Sequence, residues 1–155
     1  MGSDTYTQIY IHVIFAVKGR GSLISERWDQ DLYKYMNGLI SNKGQKPLAI
    51  NGAYDHIHFL IGMKPTCCLS DLVREIKKST NTWINDNKLT HSSFAWQEGF
   101  GAFSNSHADL NRVIAYITHQ KEHHRKFSFK SEYLEILKDF EVSYKDAYLF
   151  EWIDD

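Results

Sequence analysis

An α+β fold of the ferredoxin-like kind, a split βαβ arrangement around one antiparallel sheet, is predicted by three observations. Runs rich in β-branched and aromatic residues occur at 6–18, 47–53, 55–63 and 94–104. Apolar residues at three- and four-residue spacing occupy 25–42, 69–86 and 107–125. The two kinds interleave in the order β-α-β-β-α-β-α, which puts helices on one face of the sheet. A shorter helix at 130–139 follows as part of a C-terminal helical appendage.

Each element has its own signals. YTQIYIHVIFAVK, 6–18, reads as a strand, and GRGS ends it. The first helix, 25–42, has Ser25 as a candidate N-cap and places Trp28, Leu32, Tyr35, Met36 and Leu39 at helical spacing. NKGQKP is a loop. The next two strands turn near Asn51–Gly52 or Tyr54–Asp55. The second helix, with Cys68 or Ser70 at its start, repeats Leu69, Leu72, Val73, Ile76, Thr80, Trp83 and Ile84. FAWQEGFGAFS, 94–104, alternates aromatics with glycines, which predicts a strand with close backbone approaches at Gly99 and Gly101. The third helix, capped by Ser106 or His107, packs Leu110, Val113, Ile114 and Ile117. VSYKDAYLFEWI closes the chain as an extended segment or one more helical turn.

A chain of 155 residues suits a single domain, here 1–155 with a core of about 6–130. Hydrophobic residues at 43% and charged residues at 24% are ordinary for a globular protein. No stretch of about 18 apolar residues is present to span a membrane. MGSDTYTQIY lacks the basic and apolar regions of an export signal, and its leading MGSD reads as partly an expression remnant. Adjacent Cys67 and Cys68 make a poor disulfide framework, so a reducing cytoplasm is expected.

The net charge of −1 hides an asymmetry. Residues from 131 onward carry eight acidic and two basic groups, leaving a balance of +5 in residues 1–130. The body is basic and the appendage, 131–155, acidic. Local basic clusters are Lys18 with Arg20, Arg74 with Lys77 and Lys78, and Arg125 with Lys126. Such clusters admit a nucleic-acid partner, although each alone also reads as a solvated face.

The sharpest chemical signal is NGAYDHIHFLIGM, 51–63. Alternation along a strand puts His56 and His58 on one face, flanked by Tyr54 and Leu60. Ile57, Phe59 and Ile61 line the other face, which reads as core. Paired imidazoles pack poorly and ligate metals well. In the third helix Tyr116 and Gln120 are four residues apart and share a side. Taken alone, Tyr116 reads equally as a boundary aromatic with a wet hydroxyl, and Gln120 as a plain helix former. His119, His123 and His124 read as solvated residues that favour a helix C-terminus.

Together these residues resemble the HUH-type single-tyrosine transposases of bacterial insertion sequences with hairpin ends, and the related REP-associated tyrosine transposases. His56-Ile57-His58 matches the family's histidine, hydrophobic, histidine motif. HVIFAVKGR, DHIHFLI, LVREIKKSTNTWI, WQEGFGAFS and VIAYITHQKEHH resemble the family's blocks in the family's order, from about residue 6 to 130. One departure is His119, where members often carry asparagine. The appendage resembles the family less, and no function is carried over to it.

The resemblance implies cleavage and rejoining of single-stranded DNA through a 5′-phosphotyrosine. Tyr116 would be the nucleophile. His56, His58 and the Gln120 carbonyl oxygen would hold a divalent metal. A nitrogen and oxygen set without thiolate suits magnesium or manganese. A phenol of ordinary pKa about 10 needs activation, by the metal or by basic residues such as Lys121. Tyrosine and glutamine on one helix would let that helix control both. The resemblance also implies a homodimer with composite sites, in which the tyrosine helix can serve the partner's histidine pair, while the sequence leaves cis or trans placement of Tyr116 open. Lys18, Arg20, Arg74, Lys77 and Lys78 are candidate DNA contacts, with Phe94 or Trp96 as stacking platforms. Two other readings stand beside it: a module that binds DNA or RNA hairpins without cutting, and a metal-dependent phosphodiester hydrolase.

Overall fold

A computed structural model describes residues 4–154. The first three residues of the leading MGSD, and Asp155, lie outside the described residues. Four antiparallel strands, β1 (Tyr10–Ala16), β2 (Lys46–Gly52), β3 (His56–Gly62) and β4 (Gly101–Asn105), pair in the order β2-β3-β1-β4. The two central strands, β1 and β3, run through buried positions along most of their length. This is the predicted split βαβ sheet.

Strand alternation sorts the side chains into two layers. Val13, Phe15, Ile57, Phe59 and Ile61 join α1 (Asp29–Asn42) and α2 (Leu69–Asp86) in the main core. Leu32, Met36 and Ile40 enter it from α1, and Leu72, Val73, Ile76 and Ile84 from α2. Tyr35 and Trp83 stack across the two helices, their ring centres 5.3 Å apart. The opposite face presents His12, Leu60, His58 and His56, since His12 pairs with Leu60 and Ile14 with His58. The expected single helical layer is α1 with α2. Three further helices take the other face: α3 (Leu110–Thr118), α4 (Gln120–Lys126) and α5 (Phe129–Asp139). Val113 and Ile117 of α3 bury against Leu60.

Several boundaries differ from the sequence reading, each for a local reason. Ser25 opens a turn rather than capping α1. Its carbonyl takes the Trp28 and Asp29 N–H groups, and Trp28 is the N-cap. The strand predicted at 94–104 is regular only from Gly101. Side chains of α2 satisfy the backbone of the earlier part: Asn85 brackets Phe94 with two hydrogen bonds, and Lys77 donates to the carbonyls of Gln97 (2.8 Å) and Gly99 (2.6 Å). Backbone pairing with the end of β1 is confined to a single bridge, Val17 with Trp96, flanked by Lys18 N–H to the Ala95 carbonyl (2.9 Å) and Gln97 N–H to the Ala16 carbonyl (2.8 Å). The continuous helix predicted at 107–125 breaks at His119, where φ is −98° and ψ is 22°. The Ala115 carbonyl takes both the His119 N–H (3.1 Å) and its Nδ1–H (2.7 Å), and this clamp tightens the turn.

Residues past 130 are built into the body. Phe129, Tyr133 and Leu137 of α5 are buried, and Phe150 and Trp152 fold back on Phe129 and Tyr133. Ser128 caps α5 by accepting the Ser131 N–H at 3.1 Å. Gly101 lets α5 sit on β4, because a Cβ there would strike the Tyr133 hydroxyl and come within 2.9 Å of its ring. Gly52 ends β2 with an equally close approach to the His56 carbonyl. No helix among the described residues is long and apolar enough to cross a membrane.

Gly101→Ala should therefore destabilise the chain by about 1–3 kcal/mol in thermal denaturation, the usual penalty of overpacking. Adding Tyr133→Phe should return part of that loss, since the phenol oxygen is the nearest obstacle. Unchanged melting of Gly101→Ala would mean that α5 is not seated on this glycine.

Candidate metal and tyrosine site

His56 and His58 are fully buried side by side on β3, with ring centres 5.1 Å apart. The hairpin turn before them supplies Asp55, whose Oδ1 lies 2.6 Å from His56 Nδ1. From β1, His12 Nε2 lies 2.7 Å from His58 Nδ1. From α5, Phe129 stacks on His56 at 4.1 Å with the planes 6° apart. These contacts leave the Nε2 atoms of both imidazoles facing the same place.

That place holds Glu132. Its Oε1 is 3.2 Å from His56 Nε2 and 3.2 Å from His58 Nε2. Its Oε2 accepts a hydrogen bond from the Gln120 amide at 2.6 Å and a very short one from the Tyr116 hydroxyl. Gln120, fully buried, sets its Oε1 3.0 Å from His56 Nε2. The Tyr116 and His58 rings stand edge to face, 5.7 Å apart, within one protomer.

Burial penalises every charge here, and the pairings decide which charges survive. Burial would lower the His56 pKa, but hydrogen bonds to Asp55 and Glu132 raise it to about 9. Both ring nitrogens face acceptors, which only the imidazolium can satisfy together. Burial lowers His58 despite Glu132 beside it. Burial also leads in His12, which falls to about 3, with the His58 charge acting in the same direction. A neutral His12 can donate its Nε2–H to His58 Nδ1, which leaves the His58 Nε2–H to donate to the Glu132 carboxylate. Burial would raise Glu132, but His58 and His56 hold its carboxyl far below the carboxylate range. Tyr116 is pushed well above its ordinary value, first by burial and then by the charge and hydrogen bond of Glu132. In this arrangement the phenol keeps its proton and gives it to the carboxylate as a hydrogen bond.

The donor chemistry fits a divalent cation. His56, His58 and Glu132 each offer one ligand atom, all within 4.8 Å of one another and all buried. One anionic oxygen with two imidazole nitrogens and no thiolate is a set for a hard or borderline ion such as magnesium or manganese. Asp55 and His12 hold the outer ring nitrogens, the usual support for ligating histidines. Gln120 stands one contact away, bonded to both His56 and Glu132.

Of the residues singled out in the sequence, His56, His58, Tyr116 and Gln120 come together. Tyr116 and Gln120 do so across the break at His119 rather than along one continuous helix. Lys121 points elsewhere: its Nζ pairs with Asp29 at 2.9 Å and with Asn51 at 3.1 Å, tying α4 to α1 and β2. Phe94 and Trp96 are not open platforms, being buried in the core at 1% and 8% exposure. Arg74, Lys77 and Lys78 lie on α2, across the sheet from the histidines. Lys77 is half-buried over the Phe15 ring, where burial lowers its pKa to about 8. Arg74 pairs with Asp71, and Arg20 with Asp154 at 3.5 Å. Lys18 is exposed. Glu132, His12 and Asp55 were missed. Asp55 was legible as the acid next to the motif; Glu132 gave no signal among the eight acidic residues of the appendage.

Comparison with known proteins bears on the family and the fold. The family model described as IS200-like transposase matches residues 5–120. A candidate transposase from Deinococcus radiodurans, solved by crystallography, is 18% identical, with a TM-score of 0.62 over 78% of this chain and 97% of its own. A REP-associated tyrosine transposase solved with a REP hairpin is 17% identical, with a TM-score of 0.55 over 77% of this chain and 72% of its own. At such identities the two structures speak to the fold. No curated protein matches the chain.

Because Glu132 raises Tyr116, Glu132→Gln should let that phenol ionise at lower pH than in the wild type. An ultraviolet difference titration against the matching Tyr116→Phe chain isolates the signal. An unchanged onset would detach the carboxylate from the phenol.

Proposed function

The chain belongs to the IS200-like transposase family, and from that membership we propose that it cleaves and rejoins single-stranded DNA at hairpin-containing element ends through Tyr116. The observation that carries the reading is the meeting of half-buried Tyr116 with buried His56, His58 and Glu132. The neighbour bound to a REP hairpin supports a hairpin-bearing substrate.

In the proposed step the Tyr116 oxygen attacks the scissile phosphorus. The Oη–P bond forms, the P–O3′ bond breaks, and the freed 3′ oxygen ends with the proton that the phenol gives up. Glu132 is the acceptor already bonded to that proton. It aims the phenol and accepts its proton as the Oη–P bond forms, before that proton passes to the departing 3′ oxygen. A magnesium or manganese ion held by His56, His58 and Glu132, with Gln120 beside them, would withdraw charge from a non-bridging phosphate oxygen. The covalent link keeps the energy of the broken bond, so rejoining to another 3′-hydroxyl needs no nucleotide.

We treat residues 1–155 as one transposase domain, with 131–155 a working part of it. Lys18, Arg20, Arg74, Lys77 and Lys78 remain the proposed phosphate contacts. Lys18 bonds the Ala95 carbonyl through its backbone, and Lys77 the carbonyls of Gln97 and Gly99, so part of the set gathers on one segment. A cytoplasmic location accords with a DNA substrate and with two free cysteines, Cys67 and Cys68. We expect a homodimer in which each protomer uses its own Tyr116, since that phenol already reaches its own Glu132.

Labelled hairpin-containing DNA from the flanks of the gene, incubated with manganese or magnesium and run on a denaturing gel, should give a protein-linked product. Tyr116→Phe should abolish it, and His56→Ala, His58→Ala, Glu132→Gln or a chelator should reduce it more than about tenfold. Binding without any adduct would favour the hairpin-binding module. Cutting that survives Tyr116→Phe would favour the hydrolase.

Mixing Tyr116→Phe with His58→Ala chains should not restore the adduct if each site is assembled in cis. Recovery in the mixture would show that the tyrosine serves the partner's histidines.

A further inference from the structure

Beside the reacting groups lies one large feature whose outer part the chemistry above does not use. A cleft of about 690 Å³ runs between α3 and α5 and ends at Tyr116 and Glu132. One wall is α3, with Arg112, Val113 and Tyr116; the other is α5, with Glu132, Glu135, Ile136 and Asp139. Aromatic rings stand at its rim. Phe127, at the end of α4, is 51% exposed, and Phe140, at the end of α5, is 45% exposed. Large apolar rings left in water beside a nucleophile call for an occupant.

We propose that this cleft receives an unpaired base of the strand whose phosphate meets Tyr116, and that it prefers bases carrying an exocyclic amino group. The inference rests on the reading of the site as one for single-stranded DNA. Three features choose a base over a phosphate. Apolar surface predominates between the charged side chains of the walls, with Val113 buried and Ile136 half-buried, which suits a flat ring better than a hydrated anion. The rim aromatics already belong to ring stacks. Phe127 lies 5.0 Å from His123, which lies 5.3 Å from Tyr116, and Phe140 lies 4.9 Å from Phe103. An entering base can extend either stack, and stacking accepts any base. Finally, Glu135 and Asp139, one turn apart on the wall that carries Glu132, repel phosphate and accept hydrogen bonds. Carboxylates pair with the amino groups of cytosine and adenine, whereas thymine offers no such donor. Arg112 is the lone arginine of the lining, exposed and 3.4 Å from Asp109.

The test is binding of fluorescent oligo-dC, oligo-dA and oligo-dT in chelator, followed by anisotropy. No strand is cut under these conditions, so the result does not depend on whether Tyr116 forms an adduct. Wild type should bind oligo-dC and oligo-dA more tightly than oligo-dT. Glu135→Ala with Asp139→Ala relieves repulsion and raises binding of all three, but removes the acceptors and should abolish the ratio between them. Phe127→Ala with Phe140→Ala should weaken all three by about tenfold, the loss expected for one stacked base. Circular dichroism melts confirm that the four exposed substitutions leave the fold intact. A wild type without base preference, a ratio that survives the carboxylate changes, or affinities indifferent to the two phenylalanines would each overturn the proposal.

Discussion

A buried carboxylate organises this protein. Glu132 is 5% exposed, and an ion taken that far from water is tolerable only when its neighbours replace the lost hydration. Two imidazoles, a phenol and an amide do so here. The arrangement works in both directions. The carboxylate holds the imidazoles and the phenol at one point, and those groups keep it ionised against the pull of burial. Losing a single member leaves the others as unpaired polar groups in the interior, so the site behaves as a unit.

That unit depends on the C-terminal helix being docked. Tyr133 seats on the space left by Gly101, Phe129 covers His56, and Phe150 with Trp152 closes over both. Packing energy from these aromatics offsets the desolvation of Glu132. Function and fold therefore share contacts at α5. The outer nitrogens of the histidines are fixed independently, by Asp55 from the hairpin turn and His12 from the neighbouring strand. Orientation of the imidazoles is thus built into the sheet, while the charge that completes the site comes from the helix laid over it.

Much of this was legible beforehand. Period-two alternation separated His56 and His58 from Ile57, Phe59 and Ile61, and the two sets do lie on opposite faces. Helical spacing gave α2 at Leu69–Asp86, because its inner face is apolar except at Thr80, whose hydroxyl bonds back to the Ile76 carbonyl. The sequence misled where side chains replaced regular backbone bonding. Asn85 and Lys77 hold most of 94–99, which meets the sheet at the single Val17–Trp96 bridge, and the His119 ring interrupts a helix whose apolar pattern runs through unbroken. The basic clusters named for DNA also included a lysine that the fold uses internally, Lys77 with the Gln97 and Gly99 carbonyls, and Lys121, named for activating the phenol, pairs with Asp29 instead.

The residues themselves determined the alternating strand, the paired imidazoles and the tyrosine four positions before a glutamine, since each is a local pattern with a local period. Only the tertiary structure decided that an acidic residue from the tail reaches the histidines. Glu132 is 74 positions from His58 in the chain, and nothing in a linear pattern distinguishes it from the acidic residues around it that stay in water. Its role follows from where a helix comes to rest, and that is set by packing among distant aromatic side chains.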